Sequence, residues 1–165
     1  MKIAVTLLTM AFAAGTPAAL DENPTPAWPP VEPVVDSFIT EDLEDINASI
    51  EDAAELGEAW AADPVLIAFG VVESSPDAVE ERRYLDMKFQ ADRNGRAGIV
   101  TVVTDGYQDD SMRGEWCRFA MHRVEDGTWR VREFRHAWRC YRGISGEHPT
   151  TDTQKLERFT SEPCL

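Results

Sequence analysis

Tyr84-Leu85-Asp86-Met87-Lys88-Phe89-Gln90-Ala91, then Asn94-Gly95, then Ile99-Val100-Thr101-Val102-Val103-Thr104, decides the fold class. In the first run Leu85, Met87, Phe89 and Ala91 alternate with Tyr84, Asp86, Lys88 and Gln90, the period of a half-buried strand. Asn and Gly both tolerate positive φ, so Asn94-Gly95 reads as a hairpin turn. The second run is β-branched throughout, and its stiff side chains suit a pleated sheet. Working outward, Asp105 to Gly114 is a polar loop and Trp116 to Val124 a third strand. Asp126-Gly127 is a second hairpin turn, and Thr128 to Tyr141 a fourth strand.

The register of that fourth strand is in conflict. Arg130, Arg132, Phe134, His136 and Trp138 would share one face, with Val131, Glu133, Arg135 and Ala137 on the other. Neither face is cleanly apolar, so a bulge is expected between Val131 and Phe134. Counting outward from the turn, a Val124–Thr128 pair sets His122 near Arg130, so His122 and His136 cannot pair directly without a slip.

Upstream the period changes to helical. Thr40 can cap a helix, with Glu41 and Asp42 placed against its positive end. Leu43, Ile46, Ile50, Ala53 and Ala54 make one apolar stripe with carboxylates opposite. This helix, with an interruption at Gly57, should end before Pro64. Val65-Leu66-Ile67-Ala68-Phe69 fits a buried strand or a short core helix, and the strand is preferred. The expectation is α+β: an N-terminal helix packed on a curved antiparallel meander of four to five strands.

The chain begins Met1-Lys2, continues uncharged from Ile3 to Ala14, and passes into Gly15-Thr16-Pro17-Ala18-Ala19. A basic start, a short apolar run and a small-residue exit are the parts of a secretory signal. The apolar run is shorter than the about 20 residues that span a bilayer. The expected organisation is a signal peptide at 1–19, a proline-rich acidic leader at 20–36 and a single α+β domain at 37–165. Five of the ten prolines fall in residues 21–34, which favours an extended leader. Trp28 within it is either a docking handle or a side chain laid on the domain. The mature protein is expected to be periplasmic or secreted, with no transmembrane segment.

Charge is divided unevenly. Residues 20–81 hold seventeen Asp or Glu and no Lys or Arg, while residues 82–165 hold thirteen acids and fifteen bases. With a net charge of -14, the chain repels nucleic-acid phosphates, and no nucleic-acid partner is expected. An oxidising compartment should close one pair among Cys117, Cys140 and Cys164. Three connectivities are open; Cys140–Cys164 would tie the last residues onto the sheet, and Cys117 suits a small buried hydrophobe. The wide spacings and the lack of a Cys-x-x-Cys pair speak against zinc, and no metal or other cofactor is expected.

Three constellations carry candidate chemistry. Asp105, Asp109, Asp110 and Ser111 stand together in one loop, without the calcium-loop spacing. Arg113, Arg118, Arg123, Arg130, Arg132, Arg135, Arg139 and Arg142 crowd the C-terminal half. Asp109, Asp110, Arg135, Trp138, Tyr141 and Arg142 are the candidate binding residues, and Arg with aromatics suits a small anionic ligand. The competing account pairs these arginines with the acidic helix. No Gly-x-Ser-x-Gly or Cys-His pattern supports a nucleophile, and no catalytic residue is assigned.

Asp126-Gly127-Thr128-Trp129-Arg130-Val131 resembles the closing hairpin of small curved-sheet domains of the cystatin-like or NTF2-like kind. A second likeness spans about sixty residues: Asp109-Asp110-Ser111, Trp129-Arg130-Val131, Trp138-Arg139-Cys140 and Thr160-Ser161-Glu162-Pro163-Cys164 are similar to a group of small exported bacterial proteins without assigned activity. Ile144 stands where that pattern has a basic residue. The resemblance implies a Cys140–Cys164 bridge and an exported single domain, and no reaction. The function expected is a non-catalytic binding or structural module of the cell envelope, with an envelope protein as partner. The alternative is a small enzyme with a pocket in the concave face of the sheet, where His136 with Asp105 or Asp110 would be the acid–base candidates. A cystatin-like protease inhibitor ranks last, since no inhibitory loop is recognisable.

Overall fold

The structure, a computed structural model, describes residues 33–74, 84–107, 111–142, 144 and 157–164. The signal segment, Trp28, Asp109 and Asp110 lie outside the described residues. Residues 32–165 form one compact unit. Among the described residues are two α-helices, a short 3-10 turn at Ala59–Ala62 and five strands: β1 (Ile39–Thr40), α1 (Glu44–Glu55), α2 (Pro64–Glu73), β2 (Tyr84–Ala91), β3 (Ala97–Asp105), β4 (Met112–Arg123) and β5 (Trp129–Cys140). The strands form one antiparallel sheet in the order β1-β5-β4-β3-β2, and the fold is α+β with a meander sheet.

Both hairpins stand where their turn residues place them. In the first, the Asp92 amide donates to the Ala97 carbonyl at 2.8 Å, and Gly95 takes φ +65° while Asn94 stays at negative φ. In the second, the Val124 amide donates to the Thr128 carbonyl at 2.9 Å and Gly127 takes φ +94°, a three-residue loop closed by a left-handed glycine. His122 therefore pairs with Arg130. The expected bulge is present: Ala120 faces Glu133 and Met121 faces Val131, which leaves Arg132 as the extra residue. After it, Phe134, His136 and Trp138 fall on the same face as Trp129 and Val131.

Two expectations are corrected. The Val65–Phe69 run is helical, part of α2. Asp63 caps that helix, its Oδ1 accepting from the amides of Val65 (2.8 Å) and Leu66 (3.3 Å), and Pro64 occupies the first turn, where a missing N–H costs nothing. Thr40 is not a helix cap. It pairs with Arg135 as part of β1, and α1 starts four residues later behind Leu43. The β5 edge would otherwise present bare backbone groups, and β1 satisfies part of it. At the far end of α1, Gly57 at φ +73° lets its own amide reach the Ala54 carbonyl and the Glu58 amide reach that of Ala53. That pair of bonds stops the helix there.

The helices cover one face of the sheet. Ile50, Ala53, Ile67, Ala68 and Val72 pack there with Val100, Val102, Phe119, Met121, Val131 and Phe134, and the Phe119 and Phe134 rings stack at 4.3 Å. The other face carries a smaller cluster of Val103, Trp116, Ala137 and Phe159, with Val35 against it. At the end of the segment assigned from the pattern to the leader, the Asp36 amide donates to the Phe159 carbonyl and the Val34 carbonyl accepts from the Phe159 amide. Cys140 and Cys164 are joined by a disulfide and Cys117 is a buried free thiol. Among the described residues no helix is long and apolar enough to cross a membrane.

Asn47 fixes α1 to β5 beside the bulge. Its Nδ2 donates to the Val131 carbonyl at 3.0 Å, and its Oδ1 accepts from the Val131 amide at 2.9 Å. Asn47→Ala leaves both backbone groups without partners and should cost about 2 kcal/mol, read as a lower urea midpoint at unchanged m-value. Asn47→Asp keeps the acceptor and should lose less.

Candidate functional site

Of the candidate binding residues singled out from the pattern, Arg135, Trp138, Tyr141 and Arg142 are described. Successive side chains on β5 point to opposite faces, so Trp138 stands on the helix-covered face and Arg135 on the other. Arg135 is occupied: its Nη2 lies 2.7 Å from Glu133 Oε1, and its guanidinium stands 4.3 Å over the Phe38 ring. Arg118, its cross-strand neighbour, shares the same Glu133 at 3.5 Å. The Tyr141 hydroxyl donates to the Tyr107 carbonyl at 2.9 Å, and Arg142 follows it on the surface.

Asp105, expected beside His136, faces the other way. Its Oδ1 lies 2.8 Å from Arg139 Nη2 and 3.2 Å from Arg113 Nε. Glu157 closes the ring, 2.6 Å from Arg113 and 3.2 Å from Arg139. Burial pulls the Arg139 guanidinium below its ordinary value, against the opposing pull of Asp105. Partial burial works against the Arg113 charge too, but the Glu157 and Asp105 contacts outweigh it and hold it above its usual value. Among the described residues the arginines thus find carboxylates largely outside the acidic helix; Arg130 meets α1 through Glu51 at 3.6 Å and the Asn47 carbonyl at 3.4 Å.

His136 does meet a carboxylate, that of Glu115. Glu115 is on β4, two residues before Cys117, and its side chain is only 2% exposed. Its Oε2 accepts from the Tyr107 hydroxyl at 2.8 Å, and that hydroxyl accepts from Thr104 Oγ1 at 2.9 Å. The Glu115 amide in turn donates to Thr104 Oγ1 at 3.1 Å. This chain holds the carboxylate in one orientation. Its other oxygen, Oε1, stands 3.3 Å from His136 Nε2, but the two are misaligned and neither makes a hydrogen bond. On the far side of the imidazole, Nδ1 lies 3.5 Å from Glu41 Oε1, next to β1.

These groups open on a cavity of about 310 Å³ between the end of α2 and the β4–β5 strands. Val71, Val72, Phe134 and Trp138 supply its apolar wall, with Glu41, Glu115 and His136 as its charged or titratable groups. The Trp138 ring is 4.7 Å from that of His136. Cys117 also lines it, directly opposite His136 in the ladder. Burial raises the Cys117 thiol well above its ordinary value, and the charges of Glu115 and Glu41 add to this, so at neutral pH it is a protonated thiol and a poor nucleophile. A larger groove of about 500 Å³ runs between α1 and α2, but Asp45 is its sole charged lining residue. Among the described residues no group of His, Cys, Asp and Glu has the geometry of a metal site.

Glu115 is not among the residues the pattern singles out, although a signal was present. It occupies the inward-facing position next to Cys117, Phe119 and Met121, and an acid on an otherwise apolar face asks for a reason. Comparison with family models, curated proteins and solved structures returned no match.

Proposed function

We propose that this protein is an exported binding module of the cell envelope that holds a small molecule in the cavity beneath Glu115, His136 and Trp138. The observation that carries this reading is the open oxygen of Glu115. A carboxylate oxygen buried to this degree and left without a hydrogen bond costs on the order of 1–3 kcal/mol. Such atoms are kept where another molecule completes them. The disulfide suits an oxidising compartment, and the acidic half of the chain suits solubility there. In this reading the sheet is of the curved kind found in cystatin-like and NTF2-like domains, with α1 and the cavity on its concave side.

The Glu115–His136 pair favours one second reading, a small enzyme in which His136 exchanges a proton with the ligand and Glu115 orients the ring. Native mass spectrometry on protein recovered from its own envelope separates the two. A small molecule retained unchanged by the wild type and lost from Glu115→Gln is the expected result. A retained molecule that is converted on incubation replaces binding with catalysis. Wild-type protein that carries nothing and takes up no small molecule contradicts both.

A further inference from the structure

The cavity is electrically one-sided, and that property specifies its ligand. Resting on the binding role just given, we infer that the site takes a primary ammonium group attached to a compact apolar body. Glu115 Oε1 makes no hydrogen bond, with the misaligned His136 Nε2 at 3.3 Å beside it, and the hydrogen-bond chain through Tyr107 and Thr104 holds the carboxylate in that orientation. What completes it must bring an N–H or O–H. Glu41 adds a second carboxylate, and among the described residues no Lys or Arg lines the cavity. A cationic donor therefore meets two negative groups, and a carboxylate or phosphate would meet the same two in repulsion.

The rest of the wall describes the remainder of the molecule. Val71, Val72 and Phe134 offer hydrocarbon, and Trp138 offers an aromatic face that attracts both apolar groups and cations. The arginines that would suit an anion stand elsewhere, with Arg118 and Arg135 on Glu133 and Arg113 and Arg139 on Asp105. The small anionic ligand expected from the arginine content is replaced by a cationic one in this proposal. The net charge of -14 favours the approach of cations over anions.

Isothermal titration with three probes that share a phenethyl body tests this: phenethylammonium chloride, 2-phenylethanol and 3-phenylpropanoate, at matched ionic strength. Phenethylammonium should bind roughly tenfold more tightly than the alcohol, the value of one charge-assisted hydrogen bond over a neutral one. The propanoate should bind weakest. Glu115→Gln keeps the acceptor for Tyr107 and should erase most of the ammonium preference. Glu41→Gln, at a half-exposed position where folding is not at stake, should reduce it by about threefold. Equal binding of ammonium and alcohol overturns the charge assignment and leaves the pocket reading standing. Tighter binding of the propanoate overturns it as well. Failure of all three to bind in the millimolar range overturns the pocket reading itself.

Discussion

Replacing Asp105 with alanine should lower the stability of the domain by about 3 kcal/mol, the low end for breaking a buried ion pair. Arg139 is the reason. Its side chain is 5% exposed, and the Asp105 carboxylate at 2.8 Å is nearer to it than that of Glu157 at 3.2 Å. Without it, a guanidinium that cannot shed its proton remains buried with Glu157 at 3.2 Å, and Glu157 is itself half exposed. The surviving contact sets the expectation at the low end of the range. In a domain of this size the loss corresponds to roughly 10 °C in melting temperature. Adding Arg139→Met to Asp105→Ala should recover stability, because the cost lies in the stranded charge and not in the lost contact. A double variant no more stable than Asp105→Ala alone would show that the ring acts through packing against Phe159 instead.

Reduction of the Cys140–Cys164 bridge has an expected effect at least as large. The two cysteines are separated by 24 residues, and the loop-closure relation gives about 3.5 kcal/mol for a loop of that length. The released segment includes Phe159, which is 1% exposed and completes the smaller cluster with Val103, Trp116 and Ala137. It also includes Thr160, whose amide and carbonyl both bond to Trp138 across the β5 edge, each at 2.8 Å. Thermal unfolding with and without dithiothreitol should therefore differ by roughly 10 °C. Cys140→Ser combined with Cys164→Ser should match the reduced protein. Cys117→Ser tests the assignment from the other side, since the bridge remains intact and the reducing agent must still act.

The features legible in the sequence are those fixed by local chemistry. Asp126-Gly127 specifies its turn whatever the rest of the chain does, and the Asn94-Gly95 hairpin follows from Gly95 alone. The bulge at Arg132 was legible as a contradiction, since neither face of residues 130–138 was apolar until one residue was removed from the count. α2 was misread because five apolar residues in a row have no period. The Asp63-Pro64 pair ahead of them was the decisive cue. β1 is only two residues long and exists through its pairing with Arg135 and His136, almost a hundred positions away, which no local pattern encodes.

The candidate site divides along the same line. His136 and Trp138 were legible as aromatic residues on a charged strand. Asp105 was paired with His136 as an acid–base candidate, yet the strand alternation sends the two to opposite faces. Glu115 depends on three partners from two other segments, and its burial becomes visible only when β3 and β4 are brought into register.

A chemical-shift map of the folded protein titrated with phenethylammonium tests the central claim most directly. The account predicts saturable shifts at the Trp138 indole, the His136 ring and the Val72 methyls, with the α1–α2 groove around Trp60 and Leu66 unmoved. Shifts confined to that groove, or none at any concentration, would contradict it.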